Sequence, residues 1–474
     1  MNRKLVLALA LTLLIGTLAV AFNVQKAKAS GTIYIRADGS VEPLTAPISN
    51  LNNVIFTFTD NISDPIVIER DNIVVDGDGH AIQGIGTGTG IDLSYRSNVT
   101  LKNLVITQFD FGIYLNHSAS CAIVGNIMME NNFEAIRLYE SLNNNITSND
   151  ITATDYDGIV LYGSSDNKID KNNLTDNYDG IRLYESSKNE IAENIVTSNY
   201  YGIFLVSSSD NSIFQNNVTT NDGNGVSLVW SSSENRIVEN HIAANKWCGI
   251  YLKASSNNMI YHNSFVDNAQ QISVNDSVNI WNEGYPSAGN YWSDYTGIDV
   301  YWGQGQDLPG SDGIGDAPCA IDENNRDCYP LMAPYSTFDA GNWNGTTYNA
   351  DVVSNSTVSG FHFNPEEGTC LRFDVAGEEG TAGFCRVAIP KDLLWAEDGQ
   401  WVVLVGDVPI TNYTITSDEN YAYLYFTYNH STKTVQIQGT HAIPEFPSFL
   451  IVPLLMIATL VVAMVRRRKQ SARH

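Results

Sequence analysis

The chain has 474 residues, of which 43% are hydrophobic and 16% charged, and its formal net charge is −26. That length allows two or three domains. The charge argues against a nucleic-acid partner, which needs a basic footprint, and describes a soluble, self-repelling surface.

The N-terminus reads Asn2-Arg3-Lys4, then an apolar run from Leu5 to Phe22, then Ala27-Lys28-Ala29. A basic start, an apolar middle and a small-x-small end make residues 1–29 a secretory signal peptide, with an uncleaved anchor as the alternative. Residues 30–89 are expected to form irregular first coils and an N-terminal cap over a raw strand edge.

Internal repeats follow. Copies start at Gly90, Gly112, Ala135, Gly158, Gly180, Gly202, Gly225 and Gly249, 22 to 24 residues apart, with a degraded copy at Gln271. Each copy holds short apolar groups, such as Ile159 and Leu161, then Ile169, then Leu174, separated by Asn, Asp, Ser and Gly. These pieces are strand-length, and the gaps carry turn chemistry. Three short strands per copy describe one triangular coil, and stacked coils of about 22 residues make a right-handed parallel β-helix. A leucine-rich repeat would need more leucines and a helix per copy.

Asparagines recur in three series: Asn98, Asn144 and Asn167 onward; Asn126, Asn149 and Asn172 onward; Asn131, Asn177 and Asn199 onward. An amide both donates and accepts, so stacked asparagines satisfy each other and the corner backbone. Cys121 interrupts the first series.

Other equivalent positions form outward columns. Just before the repeat starts stand Phe133, Tyr156, Tyr178, Tyr200 and Trp247, beside Glu134, Asp157 and Asp179; just after them stand Tyr114, Arg137 and Arg182. One reading is a glycan face of Arg137, Tyr156, Asp157, Tyr178, Asp179, Arg182 and Tyr200, with rings stacking on sugars and charged groups bonding hydroxyls. The other is aromatic packing with Arg–carboxylate pairs between coils. Asp157 and Asp179, one coil apart, have the spacing of a retaining glycosidase pair, but any repeat favouring Asp produces such pairs. A lyase would need Arg137 or Arg182 as proton acceptor, and the neighbouring acids hold arginine protonated.

Residues 284–335 lose the period and are expected to cap the helix. Asp312, Asp316 and Asp322 are a calcium candidate there, against a simple Asp-Gly turn. Cys319 and Cys328 flank one loop, and Cys370 and Cys385 flank an expected hairpin, so both are candidate disulfides. Cys121 and Cys248 are too many coils apart to bridge.

Residues 336–440 read as alternating strands and an antiparallel β-sandwich. A linker, 441–448, leads to the uncharged run 449–465, expected as a transmembrane helix about 26 Å long. The tail 466–474 opens with Arg466, Arg467, Arg468 and Lys469, which places the ectodomain outside a cell membrane. The expected class is therefore all-β, with one C-terminal helix.

The coil phrase Gly-Ile-x-Leu-x-x-Ser-Ser-x-Asn-x-Ile resembles the NosD-like, or CASH-type, right-handed β-helix family. So do "GYPSAGNYWSDYTG" from Gly284, "SDGIGDAPCAIDENN" from Ser311 and "CYPLMAP" from Cys328. These stretches are similar to the tails of archaeal surface proteins, and Pro-Glu-Phe before the apolar run resembles a sorting signal that is clipped. The resemblance, over roughly residues 32–335, implies a surface β-helix, a fold shared with carbohydrate-binding proteins and sugar hydrolases or lyases. It also implies a copper association, which the scattered histidines oppose; only His241 and His262 come near equivalence. The expectation is a membrane-anchored surface protein that binds an envelope polysaccharide or acts in adhesion, with no certain cofactor and calcium as the one open metal. A polysaccharide lyase or glycoside hydrolase, and a purely structural envelope protein, are the alternatives, and the reading leans away from catalysis.

Overall fold

A computed structural model describes residues 31–443, apart from 344, 366–368 and 398. The expected signal segment 1–29 and the apolar run 449–465 lie outside the described residues. Among the described residues no helix is long and apolar enough to cross a membrane. The chain divides into two compact units, with the boundary between Arg182 and Leu183.

The first unit is a parallel β-helix. One of its sheets carries the strands Ile33–Ile35, Ile66–Ile68, Thr89–Asp92, Phe111–Asn116, Glu134–Tyr139 and Ile159–Tyr162 in that order, and the unit ends within Asp179–Tyr184. Register matches the repeat: Ile113 faces Ile136, which faces Ile159, and Leu115 faces Leu138, which faces Leu161. All six side chains are fully buried. Each contributes about 1.5–3 kcal/mol on burial, and a one-residue slip would turn a strand's apolar set outward. Two short antiparallel pairings, Ile35 with Val41 and Ile48–Leu51 with Ile55–Phe58, close the N-terminal edge.

Polar ladders hold the corners. The backbone N–H of Asn126 donates to Asn149 Oδ1 and that of Asn149 to Asn172 Oδ1, both at 3.0 Å. Asn144 donates likewise to Asn167 at 2.9 Å. The preceding corner residues are left-handed, with φ of 54° at Asn143 and 57° at Ser148. That turn aims backbone groups at the interior, and the amide supplies their partners. A serine ladder runs beside them: Ser118 N–H donates to Ser141 Oγ, and Ser141 N–H to Ser164 Oγ. Asn98 is a correction. It is exposed, has φ 54° itself, and bonds Asn72 instead of the ladder. Cys121 does not break a longer series; its N–H donates to the Asn144 amide oxygen and ends it.

The second unit also holds parallel coils, including Tyr201–Val206, Val226–Val229, Cys248–Lys253 and Gln270–Asn275. Its ladders run past the periodic sequence. Asn263 donates to Asn290, whose N–H donates to Asp327 Oδ2 at 2.7 Å. Asn258 donates to Asn279, whose N–H donates to Asn325 Oδ1 at 2.9 Å. Buried Trp281 bonds the same Asn325 oxygen. The aperiodic segment thus ends the stack with borrowed asparagine and aspartate side chains.

A β-sandwich follows. One five-stranded sheet has the order Tyr335–Trp343, Thr346–Ser354, Ala382–Pro390, Tyr421–Asn429, Tyr413–Ser417. The other contains Thr357–Phe363, Cys370–Ala376, Lys433–Gln438, Val402–Val405 and Val408–Ile410. Val352, Phe373, Val387, Leu424 and Val435 fill the space between them. The expected hairpin between Cys370 and Cys385 is not formed: their strands lie in different sheets, because the chain crosses the sandwich between them. Cys319, Cys328, Cys370 and Cys385 are all free thiols in this structure.

Candidate functional site

The first unit's repeat-start sheet places the candidate residues. Glycine or alanine opens each copy because the coil below is too close for more. A Cβ at Gly158 would stand 2.7 Å from the Gly180 carbonyl oxygen. This tight corner fixes the residues on either side of it. The preceding residue carries the carboxylate column of Glu134, Asp157 and Asp179, and the residue before that carries Phe133, Tyr156 and Tyr178. The next outward position carries Tyr114, then Arg137, then Val160.

The aromatic column is a continuous stack. Ring centroids are 5.8 Å apart for Phe111–Phe133, 5.4 Å for Phe133–Tyr156 and 6.4 Å for Tyr156–Tyr178. Tyr156 and Tyr178 nevertheless stay 53% and 45% exposed. The rings are tilted by 40° and 45° to their neighbours, and about half of each residue's surface stays open to solvent.

The carboxylate column is the reverse. Asp157 and Asp179 are buried, and neither oxygen of Asp179 has a hydrogen-bond partner among the described residues. Arg182 Nη1 stands 3.5 Å from Asp179 and 3.9 Å from Asp157, bridging them. Arg137 stands 3.8 Å from Glu134, and its guanidinium lies 5.0 Å from the Phe111 ring and 4.9 Å from the Tyr162 ring. Burial pushes Glu134 up to about 7, against the pull of Arg137. Burial also raises Asp157 and Asp179, and repulsion from Asp157 raises Asp179 further, while Arg182 opposes both. Such a column holds protons near neutral pH and offers both donors and acceptors.

Six of the seven expected glycan-face residues, Arg137, Tyr156, Asp157, Tyr178, Asp179 and Arg182, therefore lie together in the first unit. Tyr200 belongs to the second unit, where it packs edge-on to Tyr201 and Trp247. Glu134, Phe111 and Tyr162 complete the face. Glu134 stood in the acidic column of the sequence, but Phe111 and Tyr162 are offset from the repeat phrase and become neighbours only through the fold.

The calcium expectation is corrected. Asp312, Asp316 and Asp322 do not converge. Asp312 accepts from Ile314 N–H, Asp316 from Val300 and Tyr301 N–H, and Asp322 from Asn324 and Asn325 N–H. Asp312 and Asp322 close local Asx turns, whereas Asp316 ties its loop to the backbone at Val300 and Tyr301. Among the described residues no group of three His, Cys, Asp or Glu is placed to hold a metal.

The family model described as "Periplasmic copper-binding protein (NosD)" matches residues 51–222 and 156–297, together more than half of the chain. No curated protein matches. Among solved structures, the periplasmic alginate epimerase AlgG is similar at 14% identity, over 53% of this chain and 84% of that chain, with a TM-score of 0.37. The DFA-IIIase from Arthrobacter chlorophenolicus A6 without its lid is similar at 14% identity, over 49% of this chain and 70% of that chain, with a TM-score of 0.39.

Copper does not fit the described donors. His262 is buried with Nε2 3.0 Å from the Ser287 carbonyl oxygen and its ring stacked on Tyr335. His241 pairs in register with Ser264, not with His262. His117 sits against Glu140 instead. No soft or imidazole set of the kind copper selects is assembled among these residues. The fold, its asparagine ladders and the matched residues agree, and the chain belongs to the NosD family of β-helix proteins.

Proposed function

We propose that the protein works outside the cytoplasm and binds a polysaccharide along the aromatic and acidic face of its first unit. The observation that carries this reading is the ring column Phe111–Phe133–Tyr156–Tyr178, whose last three members are exposed, beside buried carboxylates and half-buried arginines. A pure packing role would gain more by burying those rings, at about 25 cal/mol per Å² of apolar surface. Coils repeat at a strand spacing of about 4.8 Å, near the length of one sugar unit, so successive tyrosines meet successive rings of a polymer. The half-exposed Arg137 and Arg182, held by the buried carboxylates beneath them, then bond the hydroxyls. The periplasmic character of the matched family supports the location, and the apolar run 449–465 anchors the chain in a membrane in this reading. The test is retention of the chain on a panel of immobilised polysaccharides, with Tyr156→Ala and Tyr178→Ala as variants.

A second reading is glycan hydrolysis at the same face. Asp157 and Asp179 sit on adjacent coils, with Arg182 reaching both and their ionisation held back by burial. One then serves as acid and the other as nucleophile, at a separation of about 5–5.5 Å in retaining enzymes. This reading requires new reducing ends from a bound polysaccharide, and their loss in Asp179→Asn.

A further inference from the structure

The second unit contains a cavity of about 410 Å³, walled by its last coils, the cap and the outward face of one sandwich sheet. Its volume falls in the range of small-ligand clefts, roughly 300–1,000 Å³. The sequence explains why it is there. In the strand Ala382–Pro390, Arg386 and Ala388 point the same way by strand alternation, and both line the cavity. Ala388 pairs with Asp351 on one side and Tyr423 on the other. A small residue between two large ones leaves a floor.

The polar groups around that floor are left partly unused. Arg386 is only 4% exposed. It donates to the Pro286 carbonyl and lies 4.5 Å from the Tyr423 ring, but Nε has no hydrogen-bond partner and no carboxylate is in ion-pair range among the described residues. Asp351 and Glu239 repel each other, and neither has a cation paired to it among the described residues. Asp351 bonds Tyr335 and Thr337, and Glu239 accepts from Gln215 Nε2 and Thr337 Oγ1, which leaves carboxylate lone pairs for a ligand. Asp418 accepts from Tyr423 Oη and Tyr421 N–H, Glu283 accepts from Ser287 and Tyr261, and Glu419 adds a further acid at the wall. Tyr261, Tyr335 and Tyr421 supply aromatic wall.

We propose that this cavity is a second ligand site, which seats one neutral sugar residue. A sugar hydroxyl both donates and accepts, so one ring satisfies the acceptors Asp351 and Glu239 and the donor Arg386 together, while its apolar face lies on tyrosine. A carboxylated sugar would meet the two acids, and an ammonium would meet Arg386, whose burial leaves its charge weakly screened. The site shares no residue with the face of the first unit and stands independently of that reading.

The test is calorimetric titration of the full chain with glucose, galactose, mannose and N-acetylglucosamine, with galacturonate, glucosamine and alanine as charged arms. At least one neutral sugar is expected to bind. Ala388→Leu, which fills the floor, and Tyr421→Ala, which removes a wall without touching the sheet interior, should each weaken it about tenfold or more. If Ala388→Leu fails to fold, Tyr421→Ala decides. No binding by any neutral sugar, tighter binding by a charged compound, or affinity unmoved by the cavity variants overturns the proposal. Loss in Tyr178→Ala alone also overturns it and assigns the sugar to the first face.

Discussion

Glu134 has a buried carboxylate whose nearest cation, Arg137, is 3.8 Å away and whose Oε2 lacks a hydrogen bond among the described residues. Its pKa rises from the usual 4.5 to about 7. The folded chain therefore keeps a proton that the unfolded chain releases. The sign follows: this group's contribution is intact below 4.5 and is lost as pH rises through about 7. Glu134→Gln should stabilise the protein by roughly 1–3 kcal/mol above neutrality. The gain should shrink towards zero in acid. Thermal melts across pH check this, and a variant less stable than the parent at alkaline pH would refute it. A stabilising change that also weakens glycan binding would mark the column as a functional compromise. The carboxylate column was legible in the sequence as a period. Its burial was not, because burial depends on rings such as Phe111 and Tyr162 that the repeat phrase does not align.

At the scale of the element, the ladders set register. Asn149 accepts from both the backbone and the side chain of Asn126 and donates to Ile123 O and Asn172 Oδ1. Asn149→Ala leaves several buried groups unpaired at once. The expected loss is roughly 2–5 kcal/mol, read by denaturant unfolding. The exposed Asn98 should cost less when replaced by Ala, about 1–2 kcal/mol, most of it from its left-handed φ. The three asparagine series came from spacing alone, since a strict period is visible without a fold. Three things were not visible. Asn98 keeps the period yet turns out, because the coil below offers Asn72 and not a ladder. Asn325 and Asp327 join the ladders across a long aperiodic stretch, and no spacing rule reaches that far. The cysteine pair Cys370 and Cys385 looked local in sequence, but the chain changes sheets between them.

For the molecule as a whole, a solenoid of identical coils gives rise to two kinds of surface. Ladder and core positions repeat because stacking demands it, while the outward columns are free to vary. Along the first unit they vary little: rings follow rings and acids follow acids. The net charge of −26 keeps such a chain soluble despite exposed aromatics. Ring stacking on a neutral glycan should also be insensitive to salt, whereas a charge-led contact would weaken as screening shortens to about 3 Å at 1 M. The most direct test is affinity electrophoresis of the full chain through gels holding single polysaccharides. The account predicts retardation by at least one of them, nearly unchanged by salt and weakened about tenfold in Tyr156→Ala or Tyr178→Ala. Retardation by none, or equal retardation of parent and tyrosine variants, would contradict it.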